Sequence, residues 1–343
     1  MKTIFKALFL FITLGISAQQ SATESEVVTK ALQEKVALTN TSIIKNISFS
    51  NIGPTIMSGR VADIDVNPND PTEFYVGYAS GGLWYTKNNG TSFIPLLDNS
   101  PTQNVGDIAV DWDNGTIWVG TGEKNSSRSS YAGIGMLKSY NQGKTWEHVG
   151  LSDSHHVSRI VINSNNPEEV VVGVIGHLYS PNEERGVFKT LDGGKTWKKT
   201  LFVNNDTGII DVVAAPENPN VLYAASWERE RKAWNFDGDG NHSAIYKSTD
   251  AGDTWENISN DNGFRNGAGV GRIGLSVYDE NTVYAIHDSQ FRRKSEKKEK
   301  KSSNGLIKED FKKMSTEEFL ALTDKNLNNY LRANRFQQKY TSK

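Results

Sequence analysis

One eight-residue template recurs through the chain and limits what it can fold into. TLDGGKTW, ending at Trp197, and STDAGDTW, ending at Trp255, both read Ser/Thr, any, Asp, any, Gly, any, Thr, Trp. Two looser copies lie upstream: SYNQGKTW, with Asn141 in place of Asp and ending at Trp146, and TKNNGTSF, with Asn88 for Asp and Phe93 for Trp. Their glycines, Gly90, Gly143, Gly194 and Gly252, are separated by 53, 51 and 58 residues. A period near fifty with strand-like filling signals a propeller or an array of small sheets.

Each template position has a physical reason. The carboxylate of Asp192 or Asp250, or the amide oxygen of Asn88 or Asn141, can accept hydrogen bonds from backbone N–H groups just after it and close a turn. Gly two positions later takes the positive φ that other residues resist. Thr returns the chain to extended structure, and the final aromatic buries a large surface between neighbouring sheets. Turn chemistry accounts for every position, so these acids read as scaffold rather than as catalytic groups or calcium ligands.

Between the templates the periodicity is two. VADIDV, EFYVGYA, GGLWYT and SFIPL form one unit; DIAVDW, TIWVGTG, GIGMLKS and TWEHVG repeat it. RIVIN, EVVVGVI, GVFKT and TWKKTLF make a third, and IIDVVA, VLYAAS, AIYKS and TWENIS a fourth. RIGLSV and TVYAIH begin a fifth. The expected fold is all-β: a β-propeller of four-stranded antiparallel blades, four complete and one partial, over residues 49–291. Asn-Pro pairs at 67, 166 and 218 mark turns where Pro should end the ladder.

The template resembles the Asp box, or bacterial neuraminidase repeat, of sialidase-like propellers, xyloglucanases and the sortilin ectodomain. The resemblance covers about residues 49–291. It implies that the box is a corner between the third and fourth strands of a blade, on the side away from the ligand. It also implies more blades than this chain holds, so that the protein would continue into further propeller blades.

The flanks are of a different character. Residues 1–18 carry Lys2 and Lys6, then ALFLFITLGI, then Ser17 and Ala18, the pattern of an export signal cleaved after Ala18. This places the mature chain in the periplasm, at the cell surface or outside the cell, with no integral membrane segment. Residues 19–48 are polar with a short helical pattern and read as an N-terminal arm or linker. Residues 292–343 open with the Lys-rich RRKSEKKEKK and continue through STEEFLAL, where Ser315 and Glu318 form a capping box, to DKNLNNYLRANRF, which reads as a partly helical insertion in an incomplete fifth blade. Cysteine is absent, which removes disulfides and thiolate chemistry, and a net charge of -2 offers no general field for nucleic acid.

If the boxes occupy the corner between strands three and four, the loops between strands two and three open on the opposite face. These are residues 79–82; GEKNSSRSSYAG with Glu123, Arg128 and Tyr131; GHLYSPNEERG with His177, Tyr179, Glu183, Glu184 and Arg185; and WERERKAWNFDGDGNHS with Trp227, Glu228, Arg229, Arg231, Trp234, Asp237 and Asp239. Loops between blades add His155, His156, Asp206 and Arg272. Trp, Tyr, Arg and carboxylates around one mouth suit a peptide or a glycan. The first expectation is therefore a sortilin-like binding module with no cofactor.

The alternative is a glycoside hydrolase using two carboxylates. Glu123, Glu228, Asp237 and Asp239 are the available acids. The resemblance weighs against it, because Ala79 stands where xyloglucanases place an Asp before the Gly81-Gly82 doublet, and SGRVAD around Arg60 lacks the Arg-Ile-Pro signature of sialidases. DGDGN, at 237–241, has alternating acceptors but Ser248 where a calcium loop needs Glu. His155, His156 and His177 share no helix or strand that would converge them, so no metal is expected.

Overall fold

The computed structural model describes residues 22–47, 59–127, 130–259, 263–291 and 305–343. The expected leader, the Lys-rich run at 292–301 and Arg128 fall outside those residues. An α-helix, α1 (Ser25–Thr41), precedes the strands and buries none of its side chains.

Four antiparallel four-stranded sheets follow in chain order. The first holds β1 (Val61–Val66), β2 (Phe74–Tyr78), β3 (Gly82–Thr86) and β4 (Ile94–Pro95). The second holds β5 (Val105–Asp111), β6 (Thr116–Thr121), β7 (Met136–Ser139) and β8 (Glu147–His148). The third holds β9 (Val157–Asn163), β10 (Asn166–Val174), β11 (Gly186–Thr190) and β12 (Lys198–Leu201). In the fourth, β13 (Thr207–Ala215) and β14 (Asn218–Glu228) are separated from β17 (Ile245–Ser248) and β18 (Glu256–Asn257) by a small hairpin, β15 (Glu230–Arg231) and β16 (Phe236–Asp237). β19 (Val270–Asp279) and β20 (Thr282–Ser289) pair as the start of a fifth blade. Each sheet runs strand by strand from inside to outside, the meander of a β-propeller.

The boxes form the corners between strands three and four. In all four, the N–H of the seventh residue donates to the third residue's side-chain oxygen at 2.9 or 3.0 Å. The N–H of the glycine donates to the first hydroxyl at 2.8 to 3.0 Å. The residue before the glycine is also left-handed, with φ of 54° at Asn89, 59° at Gln142, 69° at Gly193 and 56° at Ala251. Sequence reasoning assigns positive φ to the glycine alone; the corner needs two consecutive left-handed residues to reverse the chain. The N–H of that fourth residue donates to a carbonyl at the turn joining strands one and two of its own blade or in the first residues of strand two: Thr72 and Gly115 in turns, Glu168 in β10 and Asn220 in β14.

The terminal aromatics lock neighbouring blades together. Trp146 Nε1 donates to the Leu96 carbonyl at 2.8 Å, Trp197 Nε1 to that of Val149 at 2.6 Å, and Trp255 Nε1 to Thr200 Oγ1 at 3.1 Å. Leu96, Val149 and Thr200 belong to the outer edge of the preceding blade; the Trp255 indole also reaches the Gly252 carbonyl of its own corner at 3.1 Å. On the inner strands, carboxylates play the equivalent part. Asp63 accepts from the Ile108 N–H at 3.3 Å, Asp65 from Val110 at 2.9 Å, Asp107 from Ile160 at 2.8 Å and Asp211 from Leu275 at 3.0 Å. In the third blade Arg159 takes this place and reaches Asp211 at 3.0 Å, Asp107 at 3.4 Å and Asp63 at 3.8 Å.

The Asn-Pro pairs are a partial correction. Asn166 and Asn218 are the first residues of β10 and β14, so Pro167 and Pro219 lie just inside strands rather than beyond them. They are tolerated because the register shifts there and the ladder asks no N–H of them.

Residues 292–343 form a separate compact unit. Its described part contains α2 (Lys308–Lys313), α3 (Thr316–Leu320) and α4 (Asp324–Ala333). The Ser315–Glu318 capping box closes reciprocally at 2.8 and 3.2 Å. Phe311 gathers the helices, 4.6 Å from the Tyr330 ring and 6.2 Å from that of Phe319.

Candidate ligand-binding face

Because the boxes are tied to the turns between strands one and two, both lie at one rim, and the loops between strands two and three share the other rim with the interblade connections. Backbone bonds seam this second rim. Gly82 N–H donates to Gln103 at 3.0 Å, Gly122 to Asn104 at 2.9 Å, Gly133 to His155 at 2.7 Å and Asn182 to Asn205 at 3.2 Å. Gly122, at φ +84°, runs so close to the His155 carbonyl that any Cβ would collide with it.

Three clusters occupy this rim. In the first, Glu123 is 1% exposed and accepts both arms of the Arg60 guanidinium, one at 2.7 Å, and the Asn125 amide at 3.1 Å. Burial would raise its pKa, but the Arg60 and Asn125 bonds outweigh it and hold the carboxyl below its ordinary range. Asn125 Oδ1 in turn accepts from Arg272 at 2.5 Å.

In the second, the His155 and His177 rings stack with centroids 3.7 Å apart. His177 Nε2 lies 3.0 Å from Asp153 Oδ1, and its Nδ1 lies 2.8 Å from Ser180 Oγ. Asn182 Nδ2 donates to the Asp153 carbonyl at 3.0 Å. Burial and the neighbouring His177 push the His155 imidazole down to about 4. Glu184 accepts from the Asp153 N–H, and burial raises its carboxyl. No helix or strand gathers the three histidines, as expected, but loops bring two of them, His155 and His177, together beside Asp153. His156 points elsewhere, fully buried, with its ring against the Glu123 carbonyl.

The third cluster is cationic. Arg185 is 2% exposed and spends its donors on Asn182 Oδ1 at 3.0 Å and on the carbonyls of His177, Ser180 and Asp206 at 2.8 to 3.1 Å. Arg229 is 3% exposed, and its Nε and one terminal nitrogen have no hydrogen-bond partner. Burial pushes its pKa down to about 9, and its charged neighbours are Arg185 and Arg231, both of the same sign. Arg231 Nε and His156 Nδ1 are likewise buried and unpaired. Nine buried side-chain polar atoms lack partners among the described residues, and all but Trp118 Nε1 belong to residues of this rim.

The remaining candidates scatter. Tyr131, Tyr179 and Trp234 are exposed, Trp234 at 78%. Trp227 is not open for stacking: it is 5% exposed, donates to the Gly238 carbonyl at 2.8 Å and belongs to the core of the fourth blade. Glu228 accepts from the backbone and the ring of His242, each at 2.9 Å. Asp239 accepts from the Gly269 N–H at 2.7 Å and Asn241 from that of Ala268 at 2.8 Å, so the DGDGN oxygens serve the neighbouring interblade loop. Asp237 is exposed in β16. Asp153, Ser180 and Asn182 escaped sequence reasoning, although Asp153 stands two residues before the His pair.

The profile of the Sortilin-Vps10 family, described as sortilin, neurotensin receptor 3, matches residues 135–339, more than half of the chain. The chain belongs to this family. Its match takes in the second and third clusters of the Sortilin-Vps10 rim and leaves Arg60 and Glu123 upstream. Curated protein sequences yield no match. Among solved structures, an ancestral GH74 enzyme superposes with a TM-score of 0.51 at 18% identity, over 70% of this chain and 31% of its own. The GH74 enzyme of Niastella koreensis gives 0.48 at 19% identity, over 66% and 35%. A YCF48 bound to D1 peptide gives 0.44 at 15% identity, over 71% and 66%. This Sortilin-Vps10 chain therefore spans about a third of the length of the GH74 structures it matches, and the likeness is one of fold.

Proposed function

We propose that this propeller is an exported recognition module that captures a carboxylate-bearing peptide or glycan on the rim opposite its boxes. The observation that carries the reading is the buried Arg229 guanidinium, which has unpaired donors and only like charges beside it. A buried charge without a counter-ion costs several kcal/mol, and an incoming carboxylate offsets that cost with charge-assisted bonds. Exposed Tyr131, Tyr179 and Trp234 supply aromatic surface on the same rim. A family described by a receptor is consistent with capture rather than turnover.

Binding of the full chain to matched acidic and neutral peptides and oligosaccharides tests this. Acidic ligands should bind at least about tenfold tighter, and Arg229→Gln should remove the preference. Equal binding of acidic and neutral ligands, or an unchanged preference in folded Arg229→Gln, refutes it. The N-terminus of the exported protein, read by mass spectrometry, should begin at Gln19.

A second reading has one observation in its favour. Burial raises the Glu184 carboxyl beside Asp153, the contrast of protonation that glycoside hydrolysis requires. The acids singled out in the sequence do not supply it, since Glu123 is held ionised by Arg60. Release of reducing sugar from β-glucans or sialosides, abolished by Glu184→Gln, would favour hydrolysis over capture.

A further inference from the structure

We propose that Asp153, His155 and His177 form a binding site for one divalent transition-metal ion of zinc-like preference. Their ligand atoms all lie within 4.8 Å of one another. Asp153 Oδ1 is 3.0 Å from His177 Nε2 and 4.0 Å from His155 Nε2. A tetrahedral ion with bonds of about 2.0–2.2 Å spaces its ligand atoms roughly 3.3–3.5 Å apart, a value inside the range these atoms already span, and coordination requires the stacked imidazoles to splay so that both ring nitrogens face the ion.

The surroundings fit ligands better than a simple hydrogen-bonded pair. Ser180 engages His177 at Nδ1, which orients Nε2 toward Asp153, and Asn182 anchors the Asp153 backbone. Such outer partners fix the orientation of metal-binding side chains. His155 makes no side-chain hydrogen bond among the described residues, yet it is held in the left-handed region at φ 53°, a conformation that costs about 1 kcal/mol or more. That backbone conformation carries its ring onto His177. Glu184 adds a carboxylate beside Asp153 with one buried, unpaired oxygen. Arg185 turns its donors to the carbonyls of His177 and Ser180 and to Asn182. Three ligands leave a further position for Glu184 or for solvent, and the half-exposed Asp153 provides entry. The ion would clamp the interblade loop at 149–156 to the loop at 175–185.

This site is independent of carboxylate capture, and its test needs no organic ligand. Calorimetric titration of the metal-free full chain with zinc chloride should give one ion per chain with a Kd on the order of micromolar. Zinc should raise Tm, as any ligand specific to the folded state does, and EDTA should reverse the rise. Cobalt(II) should show the visible absorption of a low-coordinate site. His177→Ala and Asp153→Asn should each weaken zinc at least about tenfold, while His148→Ala and His242→Ala leave it unchanged. Should His177→Ala not fold, Asp153→Asn and His155→Gln carry the test. Absence of binding up to about 100 μM zinc, or unchanged binding in folded Asp153→Asn and His155→Gln, overturns the proposal.

Discussion

Trp197 offers the sharpest measure of whether the boxes hold the blades together. Its indole packs partly buried against the core between the second and third blades, edge-on to Trp118 at 6.3 Å, and donates to the Val149 carbonyl at 2.6 Å. An aromatic side chain buries about 150–250 Å², worth about 4–6 kcal/mol at roughly 25 cal/mol per Å² when fully covered. Partial exposure brings this to about 3 kcal/mol, and the indole hydrogen bond adds about 1 kcal/mol. Trp197→Ala should therefore cost about 3–4 kcal/mol. Trp197→Phe keeps a ring in the seam and loses the donor, so about 1–2 kcal/mol is expected. Trp234→Ala, at a site 78% exposed, should change stability by less than about 0.5 kcal/mol. Urea unfolding followed by far-UV circular dichroism measures all three without relying on the fluorescence being deleted. A Trp197→Ala cost under about 1 kcal/mol, or one equal to that of Trp234→Ala, would mean that the corner is not a clamp between blades.

Other expectations follow from the same contacts. Arg229→Met should raise Tm while removing acidic-ligand binding, since an uncompensated buried charge costs several kcal/mol that an apolar side chain does not incur; a fall in Tm would refute the reading of Arg229 as uncompensated. Asp65→Ala leaves the Val110 N–H and the Trp112 indole N–H, now at 2.9 and 2.7 Å, without an acceptor, and should cost about 2–3 kcal/mol in urea melts. Thr196 and the Asp192 backbone contacts hold the Asp192 carboxyl down to about 2, and Thr254 does the same for Asp250 despite some burial. Folded values below the ordinary 3.8 mean that this stabilisation is complete above about pH 4 and is lost as pH falls through 2. The amide resonances of Thr196 and Thr254 should accordingly shift near pH 2 and not near pH 4.

The blade order was legible because a propeller is a local fold. Within each blade strands pair in chain order, with only the small β15–β16 hairpin inserted between β14 and β17, so period-two patterning and box spacing suffice to place the four sheets. The corner chemistry was legible for the same reason: Asp192 bonds to Thr190 and Thr196, all within four residues. The second left-handed residue was not, because Gln142 and Ala251 carry no preference for that conformation and adopt it only when the corner is pulled onto its own blade.

The candidate site was legible only as a set of loops. The sequence singled out the loops of this rim, among them His177, Arg229 and Glu123, but gave the buried Trp227 to a ligand and offered no helix or strand to bring His155, His156 and His177 together. Trp227 had an exposed reading because its loop is charged; the β15–β16 hairpin covers it with Phe236, whose ring lies 6.2 Å away.

Sequence by itself determined the repeat, its corners and the face left free for loops, because these depend on contacts within a few residues. Tertiary structure alone decided which loop side chains meet. His155 reaches Asp153 and His177, and Arg229 lies beside Arg185, only because interblade turns bring distant segments to one rim. Burial in the assembled rim leaves Arg229 Nε and one terminal nitrogen without a hydrogen-bond partner, with the Trp227 ring 5.6 Å from the guanidinium.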